Sequence, residues 1–225
     1  MLTQTIERSV PARQTVRPAP VSSKSFHSSI DLMGATMPFG RNAEIYGENE
    51  PAEYVYKVAS GTVRTYKVLN DGRRQIGAFY LPGDVFVLEI GDEHTFSAEA
   101  ITDCKILVVK RSTLVGLAAR DNDVARQLWA MTAAELQRAQ DHIMLLIKTA
   151  QERVAGFLLE MAKRSAAAAE VELPMSRQDI ADYLGLTIET VSRTLTQLEK
   201  GAAIAVPTSR RIVLRNRAAL SRLNA

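Results

Sequence analysis

Residues 176–200 read Ser-Arg-Gln-Asp-Ile-Ala-Asp-Tyr-Leu-Gly-Leu-Thr-Ile-Glu-Thr-Val-Ser-Arg-Thr-Leu-Thr-Gln-Leu-Glu-Lys, and their spacing describes two short helices joined at Gly185. Small Ala181 suits a close crossing of the two, Gly185 supplies the tight turn, and Val191, Leu195 and Leu198 form the apolar stripe of the second helix. Both helix starts are encoded locally. Ser176 followed by Asp179 is a capping-box signal for the first helix, and Thr187 is placed to cap the second. This is the pattern of a helix-turn-helix.

What the second helix leaves exposed indicates a function. Glu189 and Arg193 are four residues apart, so they share one face and can orient each other toward a DNA groove. Arg193 can donate two hydrogen bonds to guanine, Glu189 can accept from the amine of cytosine, and Ile188 offers an apolar surface to a thymine methyl. Arg177, Thr190 and Ser192 have the chemistry for phosphate contacts, as do Ser176 and Thr187 at the helix starts.

Outward from this motif the chain divides into four segments. Residues 1–30 combine Pro11, Pro18 and Pro20 with serines and four basic residues, and read as a disordered tail. Residues 31–115 carry short β-rich runs between glycine turns: Tyr54-Val-Tyr-Lys-Val, Thr62-Val-Arg-Thr-Tyr-Lys-Val and Lys105-Ile-Leu-Val-Val read as strands, with Asn70-Asp-Gly72 as a hairpin turn. Many short strands at this spacing predict a jelly-roll barrel. Residues 150–225 contain the helix-turn-helix, preceded by a helix over 151–166 with Val154, Phe157, Leu158 and Met161 on one face. They end in a β-hairpin wing that flanks Pro207-Thr-Ser209, with Arg210 and Arg211 at its tip available to phosphate.

Between barrel and helix-turn-helix, residues 116–149 read as one long helix. Val124, Leu128, Met131, Leu136, Ala139, Ile143 and Leu146 advance by threes and fours, with a single step of five between Met131 and Leu136. A narrow seam of this length predicts pairing with an identical helix, hence a homodimer, with part of its N-terminal half packed on the barrel. Trp129 and Leu145 lie off the seam and are expected to meet the barrel. The overall expectation is an α+β chain: an N-terminal double-stranded β-helix (jelly-roll) barrel, a long dimerisation helix and a C-terminal winged helix-turn-helix.

Composition narrows the alternatives. The net charge is only +3, but residues 151–225 hold 11 Lys/Arg against 8 Asp/Glu while residues 31–150 hold 13 against 16. The basic end would face DNA and the acidic barrel would stay clear of it. No apolar run reaches the ~18 residues that span a bilayer, and the N-terminus lacks a signal-peptide pattern. One cysteine, Cys104, cannot form an internal disulfide, which suits the cytoplasm. Cys104 reads as a buried structural thiol, and His94, beside Asp92 and Glu93, as part of a solvated loop cluster. No second histidine or cysteine stands at ligand-like spacing from His94. His27 and His142 are isolated. An enzyme is not indicated: there are no paired metal ligands, no Gly-x-x-x-x-Gly-Lys loop and no Gly-x-Ser-x-Gly elbow. No catalytic residue, metal or cofactor is expected.

At these residues the chain resembles the CRP/FNR superfamily of transcription regulators, in its FixK-like branch. The family's Glu-x-x-x-Arg core falls on Glu189 and Arg193, and its variant with serine before the arginine falls on Ser192, which implies a reader of TTGAT-type half-sites. Gly47, Gly61, Gly72 and Gly83 recur at the glycine spacing of the family's barrel, around Leu81-Pro-Gly-Asp. Cyclic-nucleotide-binding members carry an arginine in their phosphate cassette; here no arginine lies between Arg74 and Arg111, and Asp92 and Glu93 would repel a phosphate. Iron–sulfur members need four thiolates. The resemblance thus implies an activator that works with RNA polymerase on genes of microaerobic respiration, denitrification or nitrogen fixation, without cyclic nucleotide or cluster. The rival reading is a member gated by another small molecule in the barrel.

Overall fold

The computed structural model describes residues 33–86, 89, 91–165 and 169–224. The expected N-terminal tail lies outside them, as do Val87, Leu88 and Ile90. The β-branched and aromatic runs form two antiparallel four-stranded sheets. One has the order β1 (Ala35–Phe39), β8 (Cys104–Lys110), β3 (Tyr54–Ser60), β6 (Val85–Phe86); the other β2 (Glu44–Tyr46), β7 (Ser97–Ala100), β4 (Val63–Val68), β5 (Arg74–Tyr80). The Asn70-Asp-Gly72 turn joins β4 to β5, with Gly72 at φ 83° and the Leu69 N–H donating to the Arg73 carbonyl.

Aromatic rings fill the space between the sheets. Tyr46 lies 5.2 Å from Tyr56, Phe86 lies 5.3 Å from Tyr56 and 4.8 Å from Tyr80, and all four are buried. His94 is also buried, stacked on Tyr46 at 3.7 Å with Nδ1 3.1 Å from Glu89 Oε2. The expectation of a solvated cluster fails for this residue: the polar ring is taken into the core because a carboxylate and an aromatic face are both in reach. Cys104 is buried as expected, its thiol donating to the Thr62 and Thr102 carbonyls, and burial pushes its pKa up.

The expected single helix over 116–149 is two helices, α1 (Arg111–Ala118) and α2 (Asn122–Leu146). Asp121 separates them, because its carboxylate accepts from the Asp123 and Val124 N–H groups and so starts a new helix. Val124 is buried against Val55, Val85, Leu107, Val109 and Leu114, with Leu128 and Met131 packed on the same cluster. These three residues of the expected dimer seam are therefore occupied within the protomer. Trp129, expected on the barrel, is 76% exposed instead. Leu145 is buried, in a cluster that joins the barrel residues Ile76, Phe79 and Ile101 to the C-terminal helices.

The chain then turns through residues 147–149. Thr149 and Glu152 form a capping box that opens α3 (Ala150–Arg164), and Val154, Phe157, Leu158 and Met161 are all buried as expected. Arg153 braces the turn: its Nε donates to the Lys148 carbonyl at 2.7 Å and its Nη1 to the Leu184 carbonyl at 2.8 Å. A Cβ at Gly156 would stand 2.6 Å from Leu145 Cδ1 and 2.7 Å from Asn224 Oδ1, so any larger residue there must displace these two side-chain ends.

Barrel and C-terminal region share a core. Phe79 of β5 sits 6.2 Å from Phe157 and 5.1 Å from Tyr183, and Ile76 and Ile101 join the same cluster. His142 of α2 stacks on Tyr183 at 4.0 Å, and its Nε2–H donates to the Tyr183 carbonyl at 2.8 Å. Burial lowers the His142 pKa against the opposing effects of that carbonyl and Glu160. The unfolded chain therefore takes up this proton first as pH falls, and stability is lost below the unfolded value of about 6.5. The melting temperature of His142→Phe is expected to fall less than that of the unaltered protein between neutral pH and the range below 6.5. Parallel declines in a pH series of thermal melts would show that His142 is not responsible.

Candidate nucleic-acid interface

The capping signals and turn of residues 176–200 are realised. Ser176 caps α4 (Arg177–Leu184) in a reciprocal box with Asp179, and Gly185 adopts the left-handed conformation at φ 60°. Thr187 caps α5 (Ile188–Lys200) by accepting from the Thr190 N–H at 3.2 Å. Ala181 is fully buried where the helices cross, with Ile180, Leu184, Val191, Leu195 and Leu198 in one core. The helices therefore move as a unit.

The outer face of α5 is clear. Ile188, Glu189, Ser192 and Arg193 are all exposed. Glu189 and Arg193 do not pair with each other, contrary to expectation. The helix N-terminus competes for the carboxylate: the Glu189 backbone N–H and the Thr187 hydroxyl hold it below the usual range. Arg193 is left without an ion partner among the described residues, and it is exposed.

The expected phosphate contacts separate into free and engaged groups. The Ser176 hydroxyl donates to Asp179 Oδ2 at 2.8 Å while accepting from the Asp179 N–H, so its proton is committed to the cap. Thr187 and Thr190 stand at the start of α5 with hydroxyls 3.1 Å apart. Arg177 is half-buried and reaches the Ser209 carbonyl at 3.5 Å, lining a cleft of about 280 Å³ with Ser192, Leu195, Thr196, Glu199 and Val206.

The wing is a three-stranded sheet in the order β10 (Ile204–Thr208), β11 (Arg211–Leu214), β9 (Glu170–Glu172), the last missed by sequence reasoning. Three residues, Glu-Val-Glu, are too few to show a period. The tip is Ser209-Arg210, and Arg210 is exposed there. Arg211 is not at the tip. It opposes Glu172 in the sheet and pairs with Glu170, because β9 supplies a carboxylate that the sequence did not announce. The Glu199 carboxylate accepts from the Val206 N–H at 2.9 Å and fixes the wing to α5. A final helix, α6 (Arg217–Leu223), was not foreseen either; Asn216 caps it.

A winged helix-turn-helix with an open, polar recognition face, joined to an antiparallel barrel, defines a DNA-binding transcription regulator. Residues 152–223 match the Crp-like helix-turn-helix domain and residues 36–121 the cyclic nucleotide-binding domain. The nitrogen fixation regulation protein FixK of Azorhizobium caulinodans is 52% identical over 96% of this chain and 87% of its own length. The fumarate and nitrate reduction regulatory protein of Escherichia coli is 32% identical over 83% of this chain and 77% of its own. The structure of FixK2 from Bradyrhizobium japonicum superposes with a TM-score of 0.82 at 58% identity, over 86% of this chain and 98% of that one. The chain belongs to the CRP/FNR family, in its FixK-like branch.

Replacing Arg193 with Ala is expected to cost roughly 1–3 kcal/mol on a specific site and to relax selectivity at one base pair. Arg177→Ala is expected to weaken specific and random duplexes alike. Gel-shift titrations on both duplexes decide, and equal losses for the two variants on both would reject the division between reading and anchoring residues.

Proposed function

We propose that the protein acts as a cytoplasmic homodimer on TTGAT-type inverted repeats, as an activator in contact with RNA polymerase, on genes of nitrogen fixation, microaerobic respiration or denitrification. The observation that carries this reading is the exposed outer face of α5, where Ile188, Glu189, Ser192 and Arg193 stand together. The relatives named for nitrogen fixation regulation support the choice of genes. Two recognition helices of a dimer would enter successive major grooves about 34–36 Å apart.

The dimer rests on the far side of α2. Trp129, Leu136, Ile143 and Ile147 are spaced by seven, seven and four, so they form one stripe, and they are 76%, 59%, 62% and 73% exposed. Full burial of each such side chain is worth about 1.5–3 kcal/mol, which makes an unpaired stripe unfavourable in water. Ala139 lies on the same side, whereas Leu146 is half-buried near Gly185. The seam is thus Trp129–Leu136–Ala139–Ile143–Ile147 rather than the single line from Val124.

Activity without a cyclic nucleotide fits the chemistry of the barrel. Aromatic side chains take the interior, Glu89 is engaged by His94 and Thr95, and the loop adds Asp92 and Glu93. These residues do not fit a cyclic phosphate, which needs a cationic fork. Nor does one buried cysteine fit an iron–sulfur cluster.

Ile143→Glu and Trp129→Glu are each expected to give folded monomers with strongly reduced affinity for an inverted repeat, read by sedimentation and gel shift. An intact dimer in both variants would remove the proposed seam. Preference of the unaltered protein for an inverted repeat over scrambled duplex at moderate salt tests the reading as a whole.

A further inference from the structure

Five charged side chains converge where the β4–β5 edge of the barrel meets α4. Arg64 Nη1 lies 2.7 Å from Asp179 Oδ1, and Arg74 Nη2 lies 2.7 Å from the same oxygen. Arg64 also reaches Glu99 at 2.8 Å, and Arg74 Nε donates to Asp182 at 2.8 Å. The Arg64 and Asp179 side chains are only 11% and 5% exposed, and the Tyr66 ring lies 6.0 and 5.9 Å from the two guanidinium carbons. Water therefore screens this group much less than a surface pair. Arg64 Nε is buried with no hydrogen-bond partner among the described residues, so the guanidinium is set by its ion partners and not by its own saturation.

We propose that Arg64 and Arg74 are positioning residues for DNA recognition: barrel cations that fix α4, and with it α5, in the orientation that presents the recognition face. The clamp grips α4 through Asp179 and Asp182 and leaves Ile188, Glu189, Ser192 and Arg193 of α5 exposed. The orientation it holds is thus one in which these side chains are accessible. The two helices share one core, so a rotation of α4 on the barrel carries the reading side chains with it. Fixed charge then does the orienting, and no bound effector is needed for it. This inference rests on the reading of the chain as a DNA-binding dimer.

The test is a charge exchange at the Arg74–Asp182 pair, with binding to an inverted repeat measured on folded dimers well below their melting temperatures. If Arg74→Glu leaves only a tenth of the molecules in the binding orientation, affinity falls about tenfold. The double variant Arg74→Glu/Asp182→Arg restores the pair between positions 74 and 182 but leaves a carboxylate facing Asp179, so it is expected to recover part of the lost affinity and to bind more tightly than Arg74→Glu alone. Arg73→Glu makes the same charge change at the neighbouring position, where the partner is the exposed Asp71, and controls for general repulsion of DNA. It is expected to weaken binding far less than Arg74→Glu. Should Arg74→Glu fold poorly, Asp182→Asn gives a milder break of the same pair. Spin-label distances between the barrel and α5 are expected to broaden in the broken variants and narrow again in the exchange variant. A clamp that only stabilised the fold would lower the melting temperature and leave both affinity and distances unchanged; that outcome overturns the proposal. Equal losses for Arg73→Glu and Arg74→Glu overturn it as well. Failure of the unaltered protein to prefer an inverted repeat would instead sink the underlying DNA-binding reading, and this proposal with it.

Discussion

Asp179 serves two elements at once. One carboxylate oxygen accepts from the Ser176 N–H and hydroxyl and so closes the N-terminus of α4; the other takes guanidinium groups from two barrel strands. A carboxylate this far from water is costly to desolvate, and it is tolerated because each lone pair is directed at a donor. The local signal that starts the helix is therefore also the point at which the helix is held to the barrel. The apolar contacts around Phe79, Phe157 and Tyr183 supply adhesion, but they are less directional. The charged group adds a register.

The interior and the outer edge of the barrel carry different chemistry. Its interior is packed with Tyr46, Tyr56, Tyr80, Phe86 and His94, which gives rigidity at the expense of ligand space. Its outer edge carries the groups that meet the C-terminal helices. The match to a cyclic nucleotide-binding domain describes the architecture of residues 36–121.

What the sequence made legible was local. The caps at Ser176 and Thr187, the left-handed Gly185 and the stripes of α3 and α5 each depend on neighbours within a few residues, and the structure holds all of them. What depended on distant partners was less visible. The step of five between Met131 and Leu136 marks the passage from a face covered by the barrel to a face left open, yet a one-dimensional pattern cannot say which face meets what. Trp129 was misplaced for that reason. Arg211 and His94 were misjudged because their partners, Glu170 and the Tyr46 ring, come from elements 41 and 48 residues away. Arg64, Arg74 and Asp182 carried no signal at all, since surface-type charges in strands and helices are ordinary until the fold brings them together.

The brace at Arg153 has a mechanical consequence. One guanidinium holds the Lys148 carbonyl at the bend and the Leu184 carbonyl at the end of α4, so straightening the bend would strip both acceptors in a single movement. The bend between α2 and α3 and the end of α4 are thus tied to a single side chain, and removing it would free both carbonyls at once.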